Sequence, residues 1–294
     1  MDKAMGGEMT DRIGIIGGSG LYSIQNVEIE DVVERSTPFG NPSGPITLGR
    51  LGDTGLAFLP RHGPGHHLMP TEVPFAANIY ALKSLGVRAI VAVSAVGSMR
   101  EDVEPRHFVV PDQLYDRTKG IRRHTFFGGG VVGHVGFADP FCAHVRRILV
   151  ESARGAGATT HDGGTYVCIE GPQFSTRAES RIYRGMGVDV IGMTAIPEAK
   201  LAREAGICYA TLAMVTDYDV WHESEAEVTV EMVLQNMSHN VKLARATLST
   251  ALQRLADTDL SGCGCRGAGA AAVITPEDSR DRQTLERLRV VLEE

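Results

Sequence analysis

Five cysteines, a single tryptophan and 6% aromatic residues are spread over 294 residues, and no apolar run approaches the roughly 18 residues of a membrane span. Cys142, Cys168, Cys208, Cys263 and Cys265 are odd in number and lack framework spacing. That excludes a disulfide-built secreted module and points to reduced, mostly buried thiols. Cys263 and Cys265, one glycine apart, are the exception. Two thiols cannot complete a tetrahedral zinc site, and no CxxC or HxxxH lies near enough to supply the rest. A flexible tail or a redox-sensitive pair is expected there. Basic residues are also outnumbered: 29 Lys and Arg against 36 Asp and Glu leave a net charge of −7. A general nucleic-acid or membrane-binding surface is excluded on that balance, so an anionic substrate needs a local cluster of donors. Residues 1–10 carry no apolar run or signal-peptide pattern and read as a flexible extension of a cytoplasmic protein.

What is present is 43% apolar and 22% charged residues, the composition of a globular domain with chain enough for a sizeable core. Short β-branched runs alternate with amphipathic stretches. Strands are predicted at 13–16, 46–51, 56–60, 89–96, 108–110, 166–169, 188–191 and 208–215, with a hairpin turn at 52–55. Helices are predicted over 71–85, from an Asp139-Pro140 cap to about Gly155, from the Thr176/Glu179 capping box, over 197–205 and over 228–255. A loop over 261–272 and a last helix begun by Thr275-Pro276 complete the chain. The rhythm is that of an α/β fold with a mixed central β-sheet flanked by helices. It implies one domain over 11–258, followed by a loop and helical arm over 259–294.

Five segments carry possible chemistry. Gly17-Gly18-Ser19-Gly20 after the first strand can bring backbone N–H groups and a hydroxyl to an anion, although neither a Walker loop nor GxGxxG is present. Arg61-His62-Gly63-Pro64-Gly65-His66-His67 offers a guanidinium fork and imidazoles directly after a strand; its glycines and proline rule out a helical metal-binding face. Ser94-Ala95-Val96-Gly97-Ser98 ends a buried strand, where α/β sheets bind ligands. Phe174, beside glycine and proline after another strand, can stack on a flat ring or fill the core. Asp217 and Asp219 follow the apolar run 208–215. Both can reach one planar heterocycle, one donating a proton to a ring nitrogen while the other accepts from an exocyclic amine.

Taken together, IGIIGGSGLY (13–22), TPFGNPSGPITLG (37–49), LPRHGPGHHLMPTEVPFAANIYALKSLG (59–86), IEGPQFSTRAES (169–180) and EAGICYATLAMVTDYDVW (204–221) resemble the purine nucleoside phosphorylase superfamily, in particular its 5′-methylthioadenosine phosphorylase branch. The resemblance implies a phosphorylase-type α/β fold and a homotrimer or homohexamer. It implies no metal or organic cofactor, only inorganic phosphate as co-substrate. It implies phosphate at Ser19, Arg61, His62, Ser94, Ala95 and Thr194; the hydroxyl survives at Ser19 and Ser94, where relatives often have Thr. Met193 is implied at the ribose, Phe174 at the base, and Asp217 and Asp219 as readers of the base and catalytic groups, with Asp217 the acid at purine N7. Val230, Val233 and Leu234 are implied at an alkylthio pocket, together with His134 lent by a neighbouring subunit. The 261–272 loop with its cysteine pair resembles an extension of some thermophilic members. The expected reaction is phosphorolysis of S-methyl-5′-thioadenosine in purine and methionine salvage. A 6-oxopurine nucleoside phosphorylase and, in a different class, a non-catalytic nucleoside-binding protein are the alternatives.

Overall fold

The computed structural model describes residues 11–18, 20, 24, 26–222 and 230–293, apart from the side chains of Val230 and Met232. The expected N-terminal extension, residues 1–10, lies outside the described residues, as does Ser19.

The first apolar run forms β1 (Arg12–Gly17), followed by the exposed strand β2 (Glu28–Val33). A two-residue turn at Gly52-Asp53 joins β3 (Ile46–Leu51) to β4 (Thr54–Pro60) as an antiparallel hairpin. Helix α1 (Phe75–Ser84) starts four residues after the predicted start, because Pro74 stands at its N-cap and the preceding stretch folds into turns. The long strand β5 (Val87–Ser98) comes next, then β6 (Phe108–Val110) and β7 (Gln113–Arg117). Helix α2 (Ala143–Gly155) is capped by Cys142 rather than by Asp139-Pro140. The Cys142 N–H donates to the Tyr209 carbonyl, which holds the preceding residues out of the helix.

Next come β8 (Thr160–Asp162) and β9 (Thr165–Ile169). Helix α3 (Arg177–Gly185) opens on the expected reciprocal capping box of Thr176 and Glu179. After β10 (Val190–Gly192), helix α4 (Ala195–Glu204) has a non-helical residue at Ile196, so its regular part begins at Pro197. The wholly buried β11 (Cys208–Asp217) leads to the long helix α5 (Val230–Ala256). The predicted 261–272 loop contains a short helix, α6 (Ala268–Ala271). Thr275-Pro276 precedes only a 3₁₀ turn, Glu277–Ser279; the last helix, α7 (Arg282–Leu292), is capped by Asp281, whose side chain accepts from the Thr284 N–H.

The strands join in one mixed sheet with a branch at β5. Residues 89–97 of β5 pair in parallel with β11 along one edge. The other edge is shared: β1 pairs with it as far as Ala92, and β10 pairs antiparallel with Gly97 and Ser98. Both faces of the central strands are buried. Ile13, Ile15, Val91 and Val93 pack towards α2 and α5, whereas Ile16, Ile90 and Ala92 pack towards α1, α4 and α7. That explains why these strands read as nearly continuous apolar runs.

The C-terminal segment is part of this body: Leu288 and Val291 of α7 are buried in the second of these layers. Among the described residues no helix is long and apolar enough to cross a membrane. We expect Leu288→Ala to cost about 2–5 kcal/mol in denaturant unfolding, through one cooperative transition. An effect below about 0.5 kcal/mol would mean that α7 is not integrated into the core.

Candidate active site

A cavity of about 500 Å³ opens where β1 and β10 diverge along the shared edge of β5. Its walls come from the second half of β5, Ser94 included, and from residues at or just beyond the ends of β1, β4, β9, β10 and β11, including Gly18, Arg61, Ile169, Met193 and Asp217. This is the carboxyl-end position at which open α/β sheets hold ligands. Three of its lining residues, Ser94, Ser175 and Asp219, each carry a buried side-chain oxygen (Oγ, Oγ and Oδ2) with no hydrogen-bond partner. Orphaned polar atoms clustered in one concavity are groups that a ligand can satisfy.

At one end, Arg61 is buried with its fork already engaged. Nε and Nη2 donate to the two carboxylate oxygens of Glu198, each at 2.9 Å. Nη1 donates to the Val93 carbonyl at 2.9 Å, and Nη2 makes a long contact of 3.5 Å to Ile16. Those four donations leave one of the five guanidinium N–H groups, rather than a whole fork, for a ligand. Burial works to lower the Arg61 pKa, but Glu198 more than offsets it and the guanidinium stays firmly charged. Glu198 also accepts from the Tyr209 hydroxyl at 2.8 Å. Nothing in the sequence distinguishes Glu198 from an ordinary acidic residue in a helix's first turn.

His62 lines the same end and donates Nδ1–H to the Leu68 carbonyl at 2.9 Å, which leaves Nε2 as an acceptor. Burial, and then the Arg61 charge, lower its pKa to about 4, so the ring is neutral at pH 7. Ser94 and Thr194 are buried and line the cavity. Ala95 has no polar side chain, but its backbone is well placed. In a strand, both backbone groups of a residue face one edge, and the edge alternates along the chain. Val93 gives its carbonyl to Arg61 on the β1 side. Ala95 therefore turns its N–H to that same side, in the stretch between Ala92 and Gly97 that neither β1 nor β10 pairs.

At the other end, the β11 ladder shifts register between Val215 and Asp217, and Asp217 comes opposite Gly97. The bulge re-aims the strand end. Gly97 is needed here: a Cβ on it would come within 2.8 Å of Asp217 Oδ1. Asp217 Oδ2 accepts from the Thr216 hydroxyl at 2.7 Å, and Oδ1 from the Asp219 N–H at 2.8 Å. Burial raises both pKa values; for Asp219 the charge of Asp217 adds to it, while hydrogen-bond donors act the other way on each. Asp219 takes a left-handed backbone, φ 52°, and its Oδ2 is one of the orphaned atoms.

Met193 lines the cavity beside Gly171, where a Cβ would meet the Met193 sulfur at 2.4 Å. Arg122 fixes this segment. It pairs with the buried Glu170 and donates to the carbonyls of Met193 and Ile196 at 2.6 and 2.8 Å. Phe174 stands at the mouth, 47% exposed, rather than in the core.

From α5, Val233 and Met237 line the cavity, one helical turn apart. Met237 was missed in the sequence, although it stands four residues after Val233. Leu234 points elsewhere; it is 63% exposed and outside the cavity lining, because one residue along a helix turns about 100°. Val230 begins α5, but its side chain lies outside what is described. His134 is exposed and belongs to a different part of this chain's surface from the cavity lining; its N–H donates to the Ala272 carbonyl.

Residues 12–253 match the model of the phosphorylase superfamily. The S-methyl-5′-thioadenosine phosphorylase of Geobacter sulfurreducens is 51% identical over 284 residues, covering 97% of this chain and 99% of that protein. Its counterpart in Chloroflexus aurantiacus is 53% identical over 276 residues, covering 94% and 95%. Among solved structures, a methylthioadenosine phosphorylase from an antarctic soil metagenomic library superposes with a TM-score of 0.92 at 48% identity, covering 97% of this chain and all of that one. The methylthioadenosine phosphorylase of Schistosoma mansoni in complex with adenine superposes with a TM-score of 0.84 at 39% identity, covering 92% and 99%. The fold, the strand-end cavity and these similarities agree: the chain belongs to the phosphorylase superfamily and is an enzyme of the pentosyltransferase class.

Proposed function

We propose that the enzyme cleaves S-methyl-5′-thioadenosine with inorganic phosphate, giving adenine and S-methyl-5-thio-α-D-ribose 1-phosphate. The observation that carries this reading is the buried Asp217–Asp219 pair sharing one cavity with Arg61, His62, Ser94 and Thr194. Arg61 bonds to β5 at Val93, and Asp217 is paired with β5 at Gly97. The four residue steps from Val93 to Gly97 span about 13 Å, which suits phosphate at one end and a purine at the other.

In this reading phosphate sits beside Arg61, Ser94, Thr194 and the Ala95 N–H; Ser19, implied there by the sequence resemblance, lies outside the described residues. Neutral His62 accepts a P–O–H proton, so phosphate is held mostly by dipoles rather than by net positive charge. The N9–C1′ bond breaks as a phosphate oxygen approaches C1′ from the opposite face. Positive charge gathers on the sugar, and the adjacent phosphate stabilises it. The departing base gains electrons, and a protonated Asp217 gives its proton to N7. Each Asp217 oxygen accepts one hydrogen bond, which leaves room on either for that proton. Burial raises the Asp217 pKa, the direction the step needs.

The orphaned Oδ2 of Asp219 accepts from the adenine amine. A 6-oxopurine would turn a carbonyl onto that same acceptor, which favours the aminopurine reading over the 6-oxopurine one. Phe174 covers the base, Met193 the ribose, and Val233 with Met237 the methylthio group. The exposed His134 and Leu234 fit the trimer or hexamer reading, in which His134 completes a neighbour's alkylthio pocket.

A phosphate-dependent assay of methylthioadenosine, adenosine, inosine and methylthioinosine tests the assignment. We expect methylthioadenosine to be cleaved best and adenosine less well, with little action on the two 6-oxopurines; preferred cleavage of inosine would overturn it. Asp217→Asn should lower kcat by about 10²–10⁴-fold while adenine still binds, and an unchanged kcat would remove Asp217 from the acid role.

His62 gives a pH test without phosphate. It titrates near 6.5 when unfolded but near 4 in the folded enzyme, so on acidification the unfolded chain takes up a proton that the native state refuses. This part of the stability is complete above pH 6.5 and is lost as pH falls through about 4. The decline in melting temperature over that window should be shallower in His62→Gln, and identical profiles would contradict a neutral, half-buried ring.

A further inference from the structure

Four of the five cysteines converge far from the cavity. The sulfurs of Cys142, Cys208, Cys263 and Cys265 all lie within 4.8 Å of one another. They come from three separate stretches of chain: the N-cap of α2, the first residue of β11, and the Cys-Gly-Cys turn after α5. Cys142, Cys208 and Cys265 are buried and Cys263 is half-buried, packed against the same apolar layer. The fifth cysteine, Cys168, is elsewhere, its sulfur accepting from the Ile196 N–H.

We propose that these four thiols form a structural site for a thiophilic divalent cation of the zinc class. Zinc–thiolate bonds of about 2.3 Å in a tetrahedron place neighbouring sulfurs about 3.8 Å apart. Cys142 Sγ and Cys263 Sγ are 3.7 Å apart. One tetrahedral centre accounts for four mutually close sulfurs, and an all-sulfur tetrahedron selects zinc or iron over magnesium or calcium.

The backbone around the cluster is already constrained. The Cys142 N–H donates to the Tyr209 carbonyl at 2.8 Å, which ties the α2 cap to the start of β11. The Cys263 N–H donates to Leu260, and the Arg266 N–H to Cys263, closing the Cys-Gly-Cys turn. Arg266 Nη1 donates to the Gly206 carbonyl at 3.3 Å and holds that turn against the chain just before β11. Cys142 also stands at the N-terminal end of a 13-residue helix, whose dipole favours a thiolate.

The bound ion would staple the 260–267 segment to α2 and β11. Cys208 and Asp217 are at opposite ends of β11, about 30 Å apart along the strand. The ion therefore contributes to stability and takes no part in phosphorolysis.

The test uses the full chain, purified under reducing conditions without a metal-affinity tag and dialysed against a weak chelator. Elemental analysis should find one zinc ion per chain. Cobalt(II) added to metal-stripped, reduced protein should give intense thiolate-to-cobalt charge transfer and the visible bands of a tetrahedral site. Stripping the metal should lower the melting temperature by about 5 °C or more while turnover at ambient temperature is kept. Cys263→Ser, at the most accessible ligand, should weaken metal retention by about tenfold or more with activity unaltered. The proposal is overturned if the reduced wild-type chain takes up neither ion, or if Cys263→Ser retains the metal as tightly as the wild type. It is also overturned if the native protein holds these cysteines as two disulfides, seen by mass under denaturing, non-reducing conditions.

Discussion

A β-strand has two edges, and β5 must serve three neighbours. With one edge given wholly to β11, the other is divided between β1 and β10, which run in opposite senses. Their divergence leaves part of a central strand's edge unpaired inside the protein, where backbone polar groups cannot be left to water. The enzyme resolves this partly with its own side chains: Arg61 caps the Val93 carbonyl. The remainder of the gap is the cavity. The split edge thus determines where the cavity lies and which strand ends line it.

The buried Arg61–Glu198 pair follows from the same constraint. An unaccompanied guanidinium in this position would be expensive, and an ion pair with further hydrogen bonds from Tyr209 and to Val93 reduces that cost. The pair adds no net charge to the site. In a protein of net charge −7, the proposed phosphate site is therefore built from oriented hydroxyls, backbone N–H groups and a neutral imidazole. At the opposite end, the same burial pushes two carboxylates towards their protonated forms. One cavity thus holds a buried cation that stays charged and acids that ionise reluctantly, a separation of roles set by environment.

The central strands were legible because burial on both faces makes them apolar throughout, and the cavity-lining segments because small and polar residues follow those runs directly. The edge strand β2 was not legible, since Glu28, Ile29, Glu30, Asp31 and Val32 are all exposed and carry no burial pattern. Local signals misled at Asp139-Pro140 and Thr275-Pro276, where the true caps, Cys142 and Asp281, are selected by hydrogen bonds the pattern does not encode. Within the site, Arg61, His62 and the two aspartates stood out by type and position. Glu198 did not, because its partner is 137 residues away. Distance in sequence hid the cysteine cluster in the same way: Cys263 and Cys265 looked insufficient alone, while Cys142, 121 residues earlier, gave no sign of joining them.

The backbone donor at Ala95 has a consequence for how this site tolerates change. A contact made by the main chain is indifferent to the side chain above it, so every substitution there except proline will score steric fit and leave the hydrogen bond in place. Only proline, or an ester in place of the amide, deletes that N–H. Part of the proposed grip on phosphate is therefore concealed from any survey that reads importance from residue identity.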